Sequence, residues 1–504
     1  MAAQQHLLIA FVLALLVLAL FVFTLVRALY TSVPLRRPTN AQLDSENHWR
    51  SALFRAFPRL IERIAWRSLV DTADGTSPLH KCSVRLASGK VSFWAKREDL
   101  ACSSRYGGNK VRTLEHQLAC CEASSPRSTL VLGSGGSNFV VATLAHARHS
   151  FGARLAESLV PLWVKDDFNV DRDNTLNLLS SLSFVDAGAT PRALWAERCG
   201  GLTALRAVLR AACCGGGGRH IALPPGGNSV AGALGHVGAA LELAEQIIAG
   251  DAPAPTDLFL TVGSGCTLTG LLVGIALASQ PQLAPLRPAF AALRTLHAQV
   301  IHHAVAALQR RTGLLRSRWL PLLGVGASIK SVCAALGALD ATIPAAAVER
   351  EALRLLDDVV RFAVDAAVIG KYGGHTAASA AAAACYAETG TVEAAAPPLW
   401  LCGHFTAKTF ATMLRVLERN VALEEGEQRD EVRALFWSTK SAVQPRAAGT
   451  SVARVWERFT SLRGFHDGIA QWADRGGDGI DSTNPERSMR TMSEVMTAVG
   501  EGGN

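Results

Sequence analysis

The chain has 504 residues, of which 49% are hydrophobic and 18% charged, a composition typical of a globular protein and not of a disordered one. Its formal net charge is +8, but the basic residues are scattered and form no long run, so the sequence argues against nucleic-acid binding. The 11 cysteines have neither zinc-type C-x-x-C spacing nor the density of a small disulfide scaffold, which favours reduced thiols and indicates no metal site.

The N-terminus contains an apolar run. Residues 7–26 carry no charge and include only Thr24 as a polar interruption, and a helix of that length spans roughly 30 Å of hydrocarbon. The preceding residues contain no lysine or arginine, which disfavours a cleaved signal peptide. We therefore expect residues 1–29 to form a single-pass membrane anchor, in contact with the bilayer through residues 7–26. Because Arg27, Arg36 and Arg37 follow the run, the body of the protein is expected on the cytosolic side.

Residues 30–75 are interpreted as a connector that contains a candidate amphipathic helix from Glu46 to Trp66. Beyond it, short apolar runs alternate with longer helical patterns. The expected buried strands are Thr129–Leu132, Leu159–Val164, His220–Leu223, Leu258–Val262, Leu320–Val325 and Leu399–Cys402. The expected helices are Ala142–His149, Ala231–Ala249, Thr267–Ala278 and Thr376–Tyr386. This alternation favours an α/β architecture of open parallel sheets, in which sites gather at the carboxyl ends of the strands.

A lysine follows two glycines in the segment Gly107-Gly108-Asn109-Lys110, and a helical pattern begins there, with Val111, Leu114 and Leu118 on one face. Glycine lets the backbone approach a ligand closely, so an amine at this helix start is a candidate for Schiff-base formation with a carbonyl cofactor. The alternative is a solvated surface lysine before a helix.

Glycine-rich turns follow two of the expected strands, at residues 133–138 and 263–270. Backbone N–H groups in such strand-to-helix turns can hold an anion with the help of the helix dipole. Leu268 stands where a dinucleotide fingerprint has its third glycine, so a single phosphate group is favoured, with the Ser264 and Thr267 hydroxyls as further donors. Each turn, taken alone, is equally consistent with a tight turn and no ligand.

A third glycine segment, Gly226-Gly227-Asn228-Ser229, also lies between an expected strand and an expected helix. Asn228 or Ser229 could simply cap that helix. Three such turns together with Lys110 nevertheless favour a binding site over three unrelated turns.

The order of these motifs resembles the fold type II pyridoxal-phosphate enzymes, in the branch that contains 1-aminocyclopropane-1-carboxylate deaminase and D-cysteine desulfhydrase. The resemblance covers about residues 76–446. It implies two open parallel-sheet α/β domains with the site between them, the smaller one formed by about residues 110–235 and inserted in the larger. Residues 280–316 look like an insertion, and residues 447–504 are an extension beyond the resemblance.

The resemblance also implies a role for each matching residue toward pyridoxal 5'-phosphate. Lys110 would hold the cofactor covalently and exchange the proton at the α-carbon of a small amino-acid substrate, and Ser137 would face the substrate carboxylate. Asn138 would face the ring oxygen, Thr406 the pyridine nitrogen, and Tyr372 would lie over the active site. The phosphate would be held by Gly263, Ser264, Gly265, Cys266 and Thr267.

Three departures from the family pattern concern the reaction. Phe405 replaces a tyrosine, which weakens the case for cyclopropane ring opening; Cys266 replaces a glycine and requires a negative φ; and Ser438-Thr439-Lys440-Ser441 stands where the family tends to have T-G-G. We therefore expect a pyridoxal-phosphate-dependent lyase or deaminase, with α,β-elimination from D-cysteine ahead of aminocyclopropane carboxylate deamination. A racemase or dehydratase of the same fold and a non-catalytic binding protein are the alternatives, and the resemblance leaves room for a homodimer.

Overall fold

Two β-sheets organise the part of the chain that the computed structural model describes, which is residues 20, 23–45, 47–102, 106–134, 136–164, 172–185, 194–195, 206, 209, 220–370, 374–393, 396–421, 432–441, 445 and 447. The strands are β1 (Leu79–Leu86), β2 (Gly89–Arg97), β3 (Ser128–Ser134), β4 (Leu159–Val164), β5 (Leu194–Trp195), β6 (His220–Leu223), β7 (Asp257–Val262), β8 (Thr295–Val300), β9 (Val360–Ala363), β10 (Thr391–Val392) and β11 (Ala434–Ser438).

The larger sheet has the strand order β10-β1-β2-β11-β7-β8-β9. β1 pairs antiparallel with β2 and β10, whereas every pair from β2 to β9 is parallel. β7 is buried at all six positions, as expected of a central strand that is covered on both faces. β8 lies inside the stretch 280–316 that looked like an insertion, and it pairs with β7 and β9 within this sheet.

The smaller sheet has the order β5-β4-β3-β6 and is parallel throughout. The bounds of β4 and β6 are those expected from the sequence, because both are short apolar runs whose ends coincide with the change to polar or glycine-rich residues. Two parallel-rich sheets with intervening helices confirm the α/β fold class.

The helices are α1 (residues 23–30), α2 (Asn40–Ser45), α3 (Ala52–Ala56), α4 (Lys110–Ser124), α5 (Asn138–Ser150), α6 (Ala153–Ser158), α7 (Arg172–Phe184), α8 (Val230–Ala249), α9 (Cys266–Ala278), α10 (His303–Thr312), α11 (Val325–Leu339), α12 (Ala345–Asp358), α13 (Ala366–Ile369), α14 (Ala377–Thr389) and α15 (Thr406–Val421).

The helices α4, α8 and α9 pack unusually close together. A Cβ atom added at Gly235 of α8 would lie 1.8 Å from the Arg112 carbonyl oxygen of α4, and one added at Gly270 of α9 would lie 2.4 Å from the His236 Cβ. The small residues of these helices therefore set the distance between them, and so hold the start of α4 near the start of α9. One continuous apolar core surrounds the three helices and includes Leu114, Leu234 and Leu271.

The candidate amphipathic helix from Glu46 to Trp66 is wrong as a single element. Its described residues form three short pieces, His48–Arg50, Ala52–Ala56 and Pro58–Glu62. Proline at position 58 has no N–H group to continue the preceding helix, and it begins a new turn instead.

Two of the expected strands are also wrong. The run Leu320–Val325 is a turn that leads into α11, because Leu322 has a φ of +78°, outside the extended region. The run Leu399–Cys402 is buried but pairs with no strand among the described residues. Its N–H groups donate to side chains instead, from Leu399 to the Tyr386 hydroxyl at 3.3 Å and from Cys402 to Thr406 Oγ1 at 2.8 Å.

The expected membrane anchor lies mostly outside the described residues, since residues 1–19, 21 and 22 are not among them. In the part that is described, no single helix is both long and apolar enough to cross a bilayer. Two segments, Cys266–Ala278 and Pro281–Phe290, meet that criterion together but are bent by 117°. The first of them is α9, which is buried in the core along its whole length. The transmembrane helix therefore stays a prediction, as does the role of the extension, of which only residue 447 is described.

Candidate active site

The glycine turns lie at the carboxyl ends of parallel strands and converge on Lys110. The amide of Asn109 donates a 2.8 Å hydrogen bond to Thr267 Oγ1, and the amide of Asn228 donates one of 2.6 Å to the Ser264 carbonyl. The amine of Lys110 itself lies 3.0 Å from the carbonyl oxygen of Gly226. The structure thus brings together the lysine segment, the turn after β7 and the turn after β6.

The backbone ahead of Lys110 is tied to the end of β11. Gly108 has a φ of +93° and forms an isolated bridge with Lys440, and the N–H of Asn109 donates to the Thr439 carbonyl at 3.0 Å. A Cβ atom at position 108 would lie 2.7 Å from that same carbonyl oxygen. Glycine is required here for both reasons, and it fixes the point where α4 and Lys110 begin.

Burial lowers the pKa of the Lys110 ammonium below its ordinary value, a shift that the nearby Cys266 opposes. Burial also raises the pKa of the Cys266 thiol to about 11, so this group stays neutral near pH 7. A lower pKa increases the fraction of neutral amine, which is the form that attacks a carbonyl carbon. The structure therefore places the Lys110 amine in a half-buried position beside the Gly226 carbonyl, which differs from the solvated surface lysine of the alternative interpretation.

The turn after β7 fits a phosphate group. Gly263 leads out of the strand beside Ile301, and Gly265, with a φ of +82°, precedes α9 without any side-chain cap. The first N–H groups of a helix have no partner within the helix, so they are free to bind an anion beside the hydroxyl of Ser264 or Thr267. Cys266 has the negative φ that a residue other than glycine requires here, because the only described non-glycine residues with positive φ are Ser125 and Leu322.

Asn138 is the first residue of α5, and Ser137 is its N-cap. The Oδ1 atom of Asn138 accepts hydrogen bonds from the Tyr106 hydroxyl at 3.1 Å and from Asn177 Nδ2 at 2.6 Å. These contacts fix the amide so that its nitrogen is the end that can donate to a ligand. Ser137 lies close to Gly133, where an added Cβ atom would be 3.0 Å from its Oγ atom.

Thr406 is buried and begins α15, and its hydroxyl accepts the Cys402 N–H at 2.8 Å. A hydroxyl that accepts one hydrogen bond keeps its own proton for donation, which suits a neutral pyridine nitrogen. Tyr372 lies outside the described residues, so its expected position over the site stays a prediction.

A buried polar network between α4 and α8 was not predicted from the sequence. Nε2 of His236 lies 2.9 Å from Thr113 Oγ1 and 3.3 Å from Thr267 Oγ1, and burial lowers the His236 pKa well below its usual range. Gln117 donates to the Gly227 carbonyl at 2.7 Å and to Ser229 Oγ at 2.6 Å. The spacing gave one signal, because Thr113 and Gln117 are polar residues four positions apart and therefore lie on one face of α4.

A buried ion cluster fixes α4 from its other side. The Glu242 carboxylate lies 2.6 Å from Lys96 Nζ and 2.8 Å from Arg112 Nη2, and Arg112 Nε lies 3.1 Å from Glu98. Burial alone would raise the Glu242 pKa, but Arg112 and Lys96 lower it below its ordinary value. The cluster is therefore charged. Its member on α4 is Arg112, two residues after Lys110, and through it the cluster joins α4 to β2 and α8.

Comparisons with known proteins show the family of the chain. A family model described as pyridoxal-phosphate dependent enzyme matches residues 70–392. A 1-aminocyclopropane-1-carboxylate deaminase from Allorhizobium ampelinum is 32% identical over 215 residues, which are 40% of this chain and 59% of that relative. This chain therefore spans less than two thirds of the relative's length.

Solved structures with a similar arrangement include a homologue of aminocyclopropane carboxylate deaminase, with a TM-score of 0.48 and 16% identity over 80% of this chain and 99% of that one. A hydrogen sulfide-producing enzyme from Fusobacterium nucleatum has a TM-score of 0.40 and 11% identity, over 75% of this chain and 89% of that one. Threonine deaminase isoform 2 from Solanum lycopersicum has a TM-score of 0.38 and 10% identity, over 84% of this chain and 96% of that one.

A half-buried amine beside glycine turns at the carboxyl ends of parallel strands is the arrangement of an α/β protein with a ligand site at that edge of its sheets. The family model covers more than half of the chain, and the chain belongs to the family of pyridoxal-phosphate-dependent enzymes. The family resemblance and the cofactor expected from the sequence are thereby confirmed.

Proposed function

We propose that the protein is a lyase or deaminase acting on a small amino acid, with D-cysteine desulfhydration as its reaction. The observation that carries the proposal is the half-buried Lys110 amine, 3.0 Å from the Gly226 carbonyl and joined through Asn109 to the first turn of α9. In that position the amine and a phosphate cradle are held by the same set of contacts.

Each side chain then has a task. The cofactor, when bound, withdraws electrons from the substrate α-carbon. Lys110 holds the cofactor and moves the proton at that carbon, while the N–H groups at the start of α9 and the hydroxyls of Ser264 and Thr267 bind the phosphate. The remaining contacts orient the ring and the substrate: Asn138 at the ring oxygen, Thr406 at the ring nitrogen, Ser137 at the substrate carboxylate and Tyr372 over the site.

The preference for D-cysteine rests on Phe405. This ring has no hydroxyl that could act as acid, base or nucleophile in opening a cyclopropane. Elimination from D-cysteine requires only loss of the α-proton and of a sulfur leaving group, and with one water it gives pyruvate, ammonia and hydrogen sulfide. Deamination of 1-aminocyclopropane-1-carboxylate, which gives 2-oxobutanoate and ammonia, is the second candidate because the relative from Allorhizobium ampelinum carries that name.

The proposal is tested with the purified full chain after addition of pyridoxal phosphate. D-Cysteine, L-cysteine, D-serine and 1-aminocyclopropane-1-carboxylate are supplied separately, and 2-oxo acid and ammonia are measured, with sulfide for the two cysteines. We expect the fastest release from D-cysteine and none from the Lys110→Ala variant. A protein that binds the cofactor but releases no ammonia from any of the four would contradict the proposal and favour a racemase or a non-catalytic binding protein of this fold.

We further propose that residues 7–26 anchor the protein in a membrane with its body on the cytosolic side. The apolar run supports this, and the chain just beyond it is packed onto the body: Tyr30 and Ser32 are buried, and the Ser32 hydroxyl contacts the Ala222 carbonyl. Alkaline carbonate should leave the full chain in the membrane pellet but extract a version that lacks residues 1–26. Protease protection of intact vesicles tests the orientation, and sedimentation of the detergent-solubilised protein tests for a homodimer.

A further inference from the structure

Lys440 lies beside the segment that contains Lys110, just beyond the carboxyl end of β11 in the larger sheet. β11 runs between β2 and β7, and the residues that follow it leave the sheet at the same edge as the turn after β7. There Lys440 forms a bridge with Gly108, two residues ahead of Lys110, and its neighbour Thr439 accepts the Asn109 N–H at 3.0 Å. Lys440 therefore belongs to the segment whose backbone contacts position Lys110.

The ammonium group of Lys440 is buried, and no described residue gives it an acceptor. The residue is 3% exposed, and its Nζ atom has no hydrogen-bond partner in the described part of the chain. Its one described contact of electrostatic kind is with the Trp400 ring, 5.0 Å from Nζ to the ring centroid. A buried ammonium without an anion or hydrogen-bond acceptor is strongly unfavourable, whereas a buried ammonium that receives an anion forms a charge-assisted contact.

Two other buried lysines, Lys96 and Lys408, differ from Lys440 in having acceptors for their amines. Lys96 contacts the Glu242 carboxylate at 2.6 Å, and Lys408 donates to the Ile369 carbonyl. The fold therefore supplies acceptors to those amines and supplies none among the described residues to Lys440. A buried amine of this kind, on a segment whose backbone contacts Gly108 and Asn109, can receive an acceptor that comes with a ligand.

We propose that Lys440 binds a carboxylate of the amino-acid substrate, an inference that rests on the function proposed above. Every α-amino acid carries a carboxylate one carbon from the atom whose proton Lys110 moves, and an acidic amino acid carries a second one on its side chain. The cofactor phosphate already has the start of α9 with the hydroxyls of Ser264 and Thr267. Lys440 is accordingly a specificity-determining residue for an anionic group of the substrate.

The test uses the full chain loaded with cofactor and measures the dissociation constants of non-eliminating ligands from the change in visible absorbance. Alanine, alaninamide, aspartate and asparagine are titrated into the wild type and into the variants Lys440→Met, Lys440→Gln and Lys440→Arg. Lys330→Met is the matched control, because Lys330 also lies over a tryptophan, Trp319, with 5.4 Å from Nζ to the ring centroid, and that ring is 81% exposed.

Lys440→Met should weaken carboxylate binding by about 10- to 100-fold, the range expected for one charge-assisted hydrogen bond. Lys440→Arg should retain much of the wild-type affinity for the carboxylate. Lys330→Met should leave that affinity unchanged. If the α-carboxylate is the group bound, the preference for alanine over alaninamide is lost. If a side-chain acid is bound, the preference for aspartate over asparagine is lost instead. Either loss supports the proposal and identifies the carboxylate.

Two results would overturn it. Unchanged ligand preferences in Lys440→Met and Lys440→Gln would show that Lys440 binds no substrate carboxylate. Weaker cofactor binding with unchanged ligand preferences would assign Lys440 to the phosphate. A wild type without any visible cofactor absorbance would instead refute the proposed function itself, so the two failures are distinguishable.

Discussion

The side-chain amide of Asn109 donates a 2.8 Å hydrogen bond to the hydroxyl of Thr267, and both residues are buried. This contact joins the residue ahead of Lys110 to the first turn of α9, so the amine and the proposed phosphate cradle share one support.

The Asn109→Ala variant should therefore bind pyridoxal phosphate about tenfold more weakly, since a buried hydrogen bond and its unsatisfied partner are worth roughly 1 to 3 kcal/mol. The dissociation constant is measured by absorbance titration. Ser83→Ala, which removes a 2.7 Å hydroxyl contact with Thr391 at the far edge of the larger sheet, is the control and should leave cofactor affinity unchanged. Equal affinities in the wild type and Asn109→Ala would show that the contact does not support the cradle.

Gly226→Ala should lower cofactor occupancy strongly, while it lowers the free energy of unfolding only as much as a control substitution does. Gly226 has a φ of +66°, and a Cβ atom there would lie 2.7 Å from Ser264 and 3.8 Å from Lys110 Nζ. Gly313→Ala is a matched control, because its φ is +65° and nothing lies within 4 Å of the added atom. Both variants should lose about 1 to 2 kcal/mol of stability from backbone strain, but only Gly226→Ala should lose cofactor. Equal cofactor content in the two variants would contradict the position of Gly226 in the site.

Local patterns predicted the elements whose burial follows directly from their own sequence. β4 and β6 are apolar runs with clear ends, and the glycines at positions 108, 226 and 265 mark backbone that side chains would strain or obstruct. The same apolar signal failed at Leu320–Val325 and Leu399–Cys402, because a run of apolar residues records burial and not the presence of a neighbouring strand.

Contacts between distant segments could not be predicted. Glu242 lies 146 positions along the chain from Lys96, so no local pattern connects them. Lys440 was noticed only as a departure from a glycine motif. The burial of its amine, which has no acceptor among the residues that the structure describes, depends on how β11 fits between β2 and β7.

Glu242→Gln should lower the free energy of unfolding by about 3 to 5 kcal/mol, because it leaves the buried cations Lys96 and Arg112 without their shared carboxylate. Urea denaturation measures the change. Glu351→Gln, which removes the exposed pair with Arg354, is the control and should cost less than about 1 kcal/mol. A Glu242→Gln variant as stable as the control would show that the cluster contributes little.

Stability should also depend on pH through Glu115. Burial raises the pKa of this carboxyl to about 7 from an ordinary value of 4.5. Between these two values the folded protein keeps a proton that the unfolded chain has released, so the free energy of unfolding falls as the pH rises. Glu115→Gln removes this dependence and still offers an oxygen to the Leu69 N–H, which Glu115 Oε1 accepts at 3.2 Å.

The free energy of unfolding of Glu115→Gln, relative to the wild type, should therefore increase by about 2 to 3 kcal/mol between pH 4.5 and pH 8. Denaturant titrations at several pH values measure it. Parallel pH profiles for the two proteins would mean that folding leaves the Glu115 pKa unshifted.

The position of the cofactor is tested most directly by borohydride reduction of the loaded full chain, followed by peptide mapping of the fixed pyridoxyl group. The site described above predicts a visible absorbance band that reduction removes, a label on Lys110, and neither band nor label in Lys110→Ala. A label on Lys440 or Lys408, or a band that survives in Lys110→Ala, would contradict it.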